Sequence, residues 1–177
     1  MKTLLTTLML TLLALQANAE TNATTLFNTI NKRLGYMEDV AIYKADNHLP
    51  IEDIGREATV IEQAKDAARQ KGLNPMTIES FFQAQIAVAK AIQYRYRAEF
   101  LSHPADHAAR DLTSVVRPEL LKLGDQIIEQ IAQYQQQYGV FQPSQYDLFS
   151  RQINVDYVSE GDKQLLFNAL LKIRIKM

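Results

Sequence analysis

Three long cationic side chains lie within a segment whose apolar pattern predicts buried helix faces. Residues 33–57 read RLGYMEDVAIYKADNHLPIEDIGRE, and the cations are Arg33, Lys44 and Arg56. Arg33 and Lys44 are separated by about three helical turns, so both point the same way, roughly 16 Å apart along the axis. An unpaired buried cation is costly. Each of these groups therefore needs an anionic partner.

Two kinds of partner are compatible with this pattern. The first is a set of nearby carboxylates of the chain itself, Glu38, Asp39, Asp53 and Glu57. The second is a small anionic ligand. On a later segment with helical periodicity, the face that carries Gln85, Ala89 and Gln93 has neutral amides, which can donate hydrogen bonds without carrying charge. The residues alone therefore indicate an anion pocket in a helical bundle and leave the choice of partner open.

The apolar residues recur with a helical period along nearly the whole chain, as at Leu26, Ile30 and Leu34. Helices are predicted over about residues 25–47, 52–71, 75–101, 109–138, 144–152 and 160–176, the last running through the basic LLKIRIK. Asn74 and Pro75 are a typical helix start, and Gly72 is typical of a helix end. Residues 154–158, NVDYV, are the single strand candidate. The fold class expected is all-α, a single-domain bundle of about six helices.

The N-terminus has the three parts of a secretory signal peptide. A lysine at position 2 precedes an apolar run over residues 4–15, and Ala17-Asn18-Ala19 forms an A-x-A cleavage pattern. The apolar run is shorter than the roughly 20 residues of a membrane-spanning helix. We therefore predict a signal peptide over residues 1–19 and a mature domain over residues 20–177, located in the periplasm or secreted, with no membrane association after cleavage.

Composition limits the classes of function that remain. The chain has no cysteine, so apolar packing must hold the domain together, and its net charge of −1 provides no general field for nucleic acid. His103 and His107 have a spacing compatible with a metal, but Pro104 lies between them and the set is too small for a usual metal site. We therefore expect neither a metal site nor a nucleic-acid partner.

The spacing of Arg33, Lys44, Asp53, Arg56-Glu57 and Gln93 resembles that of the all-helical chorismate mutases. The matching phrases are RLGYMEDVAIYK, PIEDIGRE and GLNPMTIESFFQAQIAVAKAIQ. With the signal peptide and the helices after Gln93, the chain is similar to the exported subclass of that AroQ-type family. In that subclass a further arginine enters the site from the fourth helix, and Arg117 in SVVRPELL is the best match.

This resemblance implies a reaction and a role for each residue. The substrate expected is the dicarboxylate chorismate, which rearranges to prephenate by an intramolecular Claisen reaction with no cofactor. Arg33, Arg56 and Arg117 are expected to clamp its two carboxylates. Lys44 and Gln93 are expected to donate to the ether oxygen, and together with Arg56 they form the expected catalytic set. Glu57 is expected to accept from the ring hydroxyl, with Asp53 near it. A homodimer is also expected.

One position departs from the family pattern, and two other functions stay open. Ala89 stands where several relatives carry a hydroxyl residue, which removes one hydrogen bond to a carboxylate.

The first alternative is an isochorismate pyruvate lyase of the same fold, although such enzymes are typically short and not exported. The second is a non-catalytic exported helical binding protein, which would have no need of Gln93.

Overall fold

The computed structural model describes the backbone of residues 2–176 and the side chains of residues 18–176. Over this range the chain forms seven α-helices and two short helical turns. In chain order these are α1 Lys2–Gly35, α2 Met37–Asp46, α3 Ile54–Gln70, α4 Pro75–Glu99, a π-helical turn Leu112–Val116, α5 Arg117–Tyr138, a 3-10 turn Pro143–Gln145, α6 Tyr146–Gln152 and α7 Glu160–Leu170. The described residues contain no β-strand. The predicted all-α class is therefore confirmed.

The helix ends follow from local side-chain chemistry. Asn74 Oδ1 accepts a hydrogen bond from the Met76 amide at 3.0 Å, as expected for a cap ahead of Pro75. Gly72 follows α3 with a φ of 74°, in the left-handed region that favours glycine. Ser159 and Asp162 exchange hydrogen bonds in a capping box that opens α7. These local signals explain why the predicted starts of α4 and α7 match the structure.

The helix predicted over residues 25–47 is two helices, because α1 ends at Gly35 and α2 begins at Met37. Glycine has a low helix propensity, which favours a helix end at Gly35. Arg33 and Lys44 thus lie on different helices. Although the predicted helix is divided, the side chains of Arg33 and Lys44 still line the same cavity.

The prediction that the last helix continues to residue 176 is wrong. Helix α7 ends at Leu170, and the segment after it runs alongside the loop before α4. The Lys176 amide donates to Gly72 O at 2.8 Å, and the Asn74 amide donates to Arg174 O at 2.8 Å. These bonds satisfy the terminal backbone outside a helix, and β-branched residues such as Ile173 and Ile175 favour the extended form.

The core of the bundle is formed by the apolar stripes of the helices. Helix α1 packs against α5 and α6, α4 packs against α2, α3 and α7, and α3 also contacts α5. Phe27 of α1 and Phe149 of α6 meet edge to face, with their ring centroids 5.1 Å apart. The result is a frame in which α1 to α5 surround one cavity.

Among the residues that the structure describes, no helix combines the length and apolar character needed to cross a bilayer. The predicted signal peptide falls mostly on residues 1–17, whose side chains lie outside the described residues, so its cleavage stays a prediction. Among the described side chains, Ala23 is the first fully buried core residue, beyond the predicted cleavage point.

Candidate active site

A single cavity brings together all seven residues that the sequence singled out. Its lining draws on α1, α2, α3, α4, α5 and the segments beside them. The seven are Arg33, Lys44, Asp53, Arg56, Glu57, Gln93 and Arg117. Apolar side chains such as Val40, Val60 and Ile86 form much of the remaining wall. One chain supplies the whole set.

The charges of the cavity do not balance. Five lining side chains are cationic, namely Arg33, Lys44, Arg56, Lys90 and Arg117, and three are carboxylic, namely Asp53, Glu57 and Asp125. Desolvation raises the pKa of the Asp125 carboxyl. The cavity lining therefore has a formal excess of two positive charges, which favours an anionic ligand.

Arg33 is the most deeply buried of these cations, with 5% of its surface exposed. Its Nη1 donates to Gln85 Oε1 at 3.1 Å, its guanidinium lies 5.8 Å from the centre of the Phe82 ring, and its Nε has no hydrogen-bond partner. Burial lowers the pKa of Arg33 to about 10. The group still carries its charge at neutral pH, in a site with spare donor capacity.

Lys44 is also buried, at the end of α2. Its Nζ donates to the Ile51 carbonyl oxygen at 2.5 Å, which turns the ammonium toward the segment before α3. Desolvation lowers the pKa of Lys44, while the charge of nearby Asp53 acts in the opposite direction and that of Arg117 adds to the lowering. Two of its three donor positions remain available for a ligand.

Gln93 presents a neutral amide to the cavity from α4. Its Nε2 donates to Ala89 O at 3.1 Å and contacts Met37 Sδ at 3.4 Å, and its Oε1 is buried without a partner. A thioether sulfur is a weak acceptor. A ligand oxygen can therefore replace the sulfur at little cost and take one of the amide hydrogens.

The start of α3 gathers the charged residues Asp53, Arg56, Glu57 and Arg117. Asp53 caps the helix, since its Oδ1 accepts from the Arg56 amide at 3.1 Å. Glu57 Oε1 accepts from the Asp53 amide at 3.4 Å, and Arg117 Nη2 lies 3.4 Å from Asp53 Oδ2. The side chain of Arg56 forms no ion pair within residues 18–176. This helix start thus contributes both donors and acceptors to the cavity.

The carboxylates of the chain do not neutralise the buried cations. Asp39 is held by Arg110, whose Nε donates to it at 3.0 Å, and Glu57 is held by Lys90 at 3.1 Å. Within the described side chains, neither Arg33 nor Lys44 has an ion-pair partner. Of the two kinds of partner compatible with the sequence, this arrangement favours a small anionic ligand.

The histidines lie away from this cavity. His103 Nδ1 contacts Glu99 at 2.7 Å, and His107 Nδ1 contacts Asp106 at 2.9 Å. In the part of the chain that the structure describes, no three His, Asp or Glu side chains converge as a metal-binding group.

Comparison with known proteins assigns the family. The model for chorismate mutase type II matches residues 24–94. A monofunctional chorismate mutase of Enterobacter agglomerans is 38% identical over 151 residues, covering 84% of this chain and 82% of the relative. The chain belongs to the type II chorismate mutase family. The resemblance read from the sequence is confirmed.

Two further comparisons extend this result to the exported branch and to the fold. A secreted chorismate mutase of Yersinia pestis is 39% identical over 147 residues, covering 83% of this chain and 79% of the relative. The crystal structure of the secreted chorismate mutase from the same species gives a TM-score of 0.79 at 38% identity and covers 85% of this chain and 97% of that one. The similarity thus extends well past the family match, into the helices after Gln93.

Ala89, the position at which the sequence resemblance led us to expect the loss of a hydrogen-bond donor, also lies at the cavity. Ala89 is 8% exposed and lines the cavity with a methyl group that donates no hydrogen bond. That this alanine replaces a hydroxyl residue of the relatives stays a prediction.

Besides the predicted site residues, the polar residues Gln63, Lys90 and Asp125 line the cavity, and Gln85 contacts Arg33 beside it. Gln85 is fully buried. Lys90 is three residues before Gln93, so the two share a face of α4, and this spacing could have indicated it. Asp125 carried no comparable signal, because its position depends on how α5 packs against α3.

Proposed function

We propose that this protein catalyses the rearrangement of chorismate to prephenate. The excess of two positive charges in the cavity carries the proposal, because chorismate has two carboxylates. The reaction needs no covalent intermediate. The protein must hold the folded conformer of the substrate and stabilise the negative charge that grows on the ether oxygen as the C–O bond breaks.

The contacts within the cavity support a division of labour among its residues. Arg33, Arg56 and Arg117 bind the two carboxylates, since guanidinium groups match carboxylates with paired hydrogen bonds. Lys44 and Gln93 donate to the ether oxygen, where their preorganised hydrogens stabilise the transition state more than the ground state. Glu57 accepts from the ring hydroxyl, beside the Asp53 cap.

The substrate assay tests this proposal directly. Residues 20–177 are expressed, chorismate is added, and its ultraviolet absorbance is followed while chromatography identifies the product. Prephenate formation is the expected result. Release of pyruvate from isochorismate without turnover of chorismate would favour a lyase, and a folded protein inert to both substrates would favour binding alone.

Two site variants test the assignment of residues. Gln93→Leu and Arg56→Ala are each expected to lower kcat by roughly 10² to 10³, as for loss of one preorganised donor, with unchanged circular dichroism. Arg117→Ala is expected to act similarly. Arg69→Ala is a matched control, because Arg69 is an exposed arginine of α3 that pairs with Asp66 outside the cavity. Near-full activity in a folded Gln93→Leu or Arg56→Ala protein would contradict the assignment.

We also infer that the protein is exported and forms a homodimer. The signal-peptide pattern and the similarity to a relative named as secreted support export. The homodimer rests on the family resemblance alone. Mass spectrometry of the protein recovered from the periplasm tests for an N-terminus at Glu20, and sedimentation velocity tests for a dimer.

A further inference from the structure

Lys90 is a second ammonium group in the cavity, in addition to Lys44. It lies on α4 between Ala89 and Gln93, and its Nζ is 3.1 Å from Glu57 Oε2. Both side chains are partly shielded, with 28% of Lys90 and 24% of Glu57 exposed. The pair thus links the wall formed by α4 to the first turn of α3.

The carboxylate of Glu57 is held at both oxygens. Oε2 receives Lys90, and Oε1 accepts from the Asp53 amide at 3.4 Å. Glu57 also lies in the first turn of α3, where the helix dipole favours a negative charge. A carboxylate has about four acceptor positions, so two of them remain for a ligand.

Free rotation of a glutamate side chain would spread its acceptor positions over several directions. A donor on each oxygen limits that rotation and leaves the remaining lone pairs in a fixed direction. The Asp53 amide cannot do this alone at 3.4 Å, whereas the charge-assisted bond from Lys90 is the shorter and stronger of the two. The orientation of Glu57 therefore depends on Lys90.

We propose that Lys90 is a positioning residue, which orients the Glu57 carboxylate toward the ring hydroxyl of the substrate. This inference rests on the proposed function. A direct bond from Lys90 to a substrate carboxylate, in place of the hydroxyl missing at Ala89, is the competing role. The structure favours positioning because the Lys90 ammonium is already engaged by Glu57, while Arg33 and Arg56 have no carboxylate partner among the described side chains.

The first test is Lys90→Met, which removes the charge and keeps an unbranched side chain. We expect kcat/KM for chorismate to fall about tenfold, as for loss of one hydrogen bond to a charged group. Lys90→Arg restores a donor and should recover most of this loss. Lys65→Met is the control, because Lys65 pairs with Glu62 and Glu79 away from the cavity, and its activity should match that of the wild type.

A double-mutant cycle shows whether Lys90 acts through Glu57. In a Glu57→Gln background, we expect Lys90→Met to lower kcat/KM by less than twofold, because the group that Lys90 orients has lost its charge. Inhibition by a ring dicarboxylate without a hydroxyl gives a second readout. We expect its inhibition constant to be the same in wild type and Lys90→Met.

The opposite results would overturn the positioning role. Lys90→Met could still lower kcat/KM tenfold in the Glu57→Gln background, or the inhibition constant of the dicarboxylate could be tenfold larger in Lys90→Met. Either result would show that Lys90 binds a carboxylate directly. If the wild type turns over chorismate and Lys90→Met is equally active, the positioning role is refuted and the proposed function stands. Lack of turnover by the wild type would instead refute the proposed function. If Lys90→Met does not fold, Lys90→Gln replaces it in every comparison.

Discussion

Arg33, which we propose as a binding residue, is expected to lower the stability of the ligand-free protein. Its guanidinium is buried with one side-chain amide and one aromatic ring as neighbours, and it has no carboxylate partner among the described side chains. Replacing buried charged groups with apolar ones of similar size often stabilises a protein. A buried, unpaired guanidinium is explained if a carboxylate of the substrate is its counter-ion.

We therefore expect Arg33→Met to raise the free energy of unfolding of the ligand-free protein by about 1–2 kcal/mol. The same change should lower kcat/KM for chorismate by a factor on the order of 10². Urea denaturation and steady-state kinetics measure the two effects. A loss of stability would contradict this account, since it would show that Arg33 is a structural residue.

Gln93 offers a test of donor chemistry, because its amide does not titrate. In Gln93→Glu only the protonated carboxyl can donate to the ether oxygen, and burial raises the pKa of a carboxyl above its ordinary value near 4.3. We expect kcat/KM of this variant to fall as the pH rises through that raised pKa, by up to about tenfold per pH unit. The wild type should change little between pH 5 and 8. A flat profile in the variant would show that Gln93 does not donate to the reacting oxygen.

At the residue scale, the sequence predicted the cations and the amide of the cavity but not the contacts that set their orientation. Spacing and family resemblance were sufficient to find Arg33, Lys44 and Gln93. Gln85 was noted only as part of a polar face, and its bond to Arg33 depends on the crossing of α1 and α4. Such contacts between distant residues follow from packing, which periodicity does not define.

At the scale of elements, one end of α7 depends on a local sequence signal and the other on contacts with distant residues. Its start was predictable from the Ser159 cap, which is a local signal. Its end was not, because the extended tail is fixed by hydrogen bonds to Gly72 and Asn74, roughly a hundred residues earlier in the chain. Long-range backbone pairing thus outweighed the helical period of LLKIRIK.

The segment between α4 and α5 is fastened to α2 by one ion pair. Arg110 donates to Asp39 from its amide at 3.0 Å and from its Nε at 3.0 Å, and its guanidinium lies 4.4 Å from the centre of the Tyr36 ring. Burial opposes ionisation of Asp39, but the hydrogen bonds from Arg110 prevail and lower its pKa. This segment leads directly to Leu112 and Arg117 of the cavity.

Because the pKa of Asp39 is lowered in the folded state, its contribution to stability is present above the unfolded value near 3.9 and is lost as the pH falls below it. We expect Arg110→Met to lower the free energy of unfolding by about 1–3 kcal/mol at pH 7. The difference from wild type should shrink at pH 3, as measured by urea denaturation at both values. An equal difference at both values would contradict the role of the ionised pair, and Arg69→Ala serves as the exposed control.

At the scale of the whole molecule, the bundle must be stable without any disulfide while it holds a cavity with excess positive charge. Binding a dianion should relieve the repulsion within the cavity, so ligand and fold stabilise each other. At a concentration of 100 Kd, a ligand that binds only the folded state adds about 2.7 kcal/mol. For a domain of this size, that corresponds to a rise in Tm of roughly 5–10 °C.

We therefore expect saturating prephenate to raise the Tm of the wild type by several degrees in a thermal-shift experiment. A ring monocarboxylate such as 4-hydroxybenzoate at the same concentration should raise it much less, because one of the two positive charges stays uncompensated. Arg33→Met should begin from a higher Tm and lose most of the shift with prephenate. Equal shifts with the monocarboxylate and the dicarboxylate would show that the cavity does not recognise two carboxylates, which would remove the charge argument on which the proposed function rests.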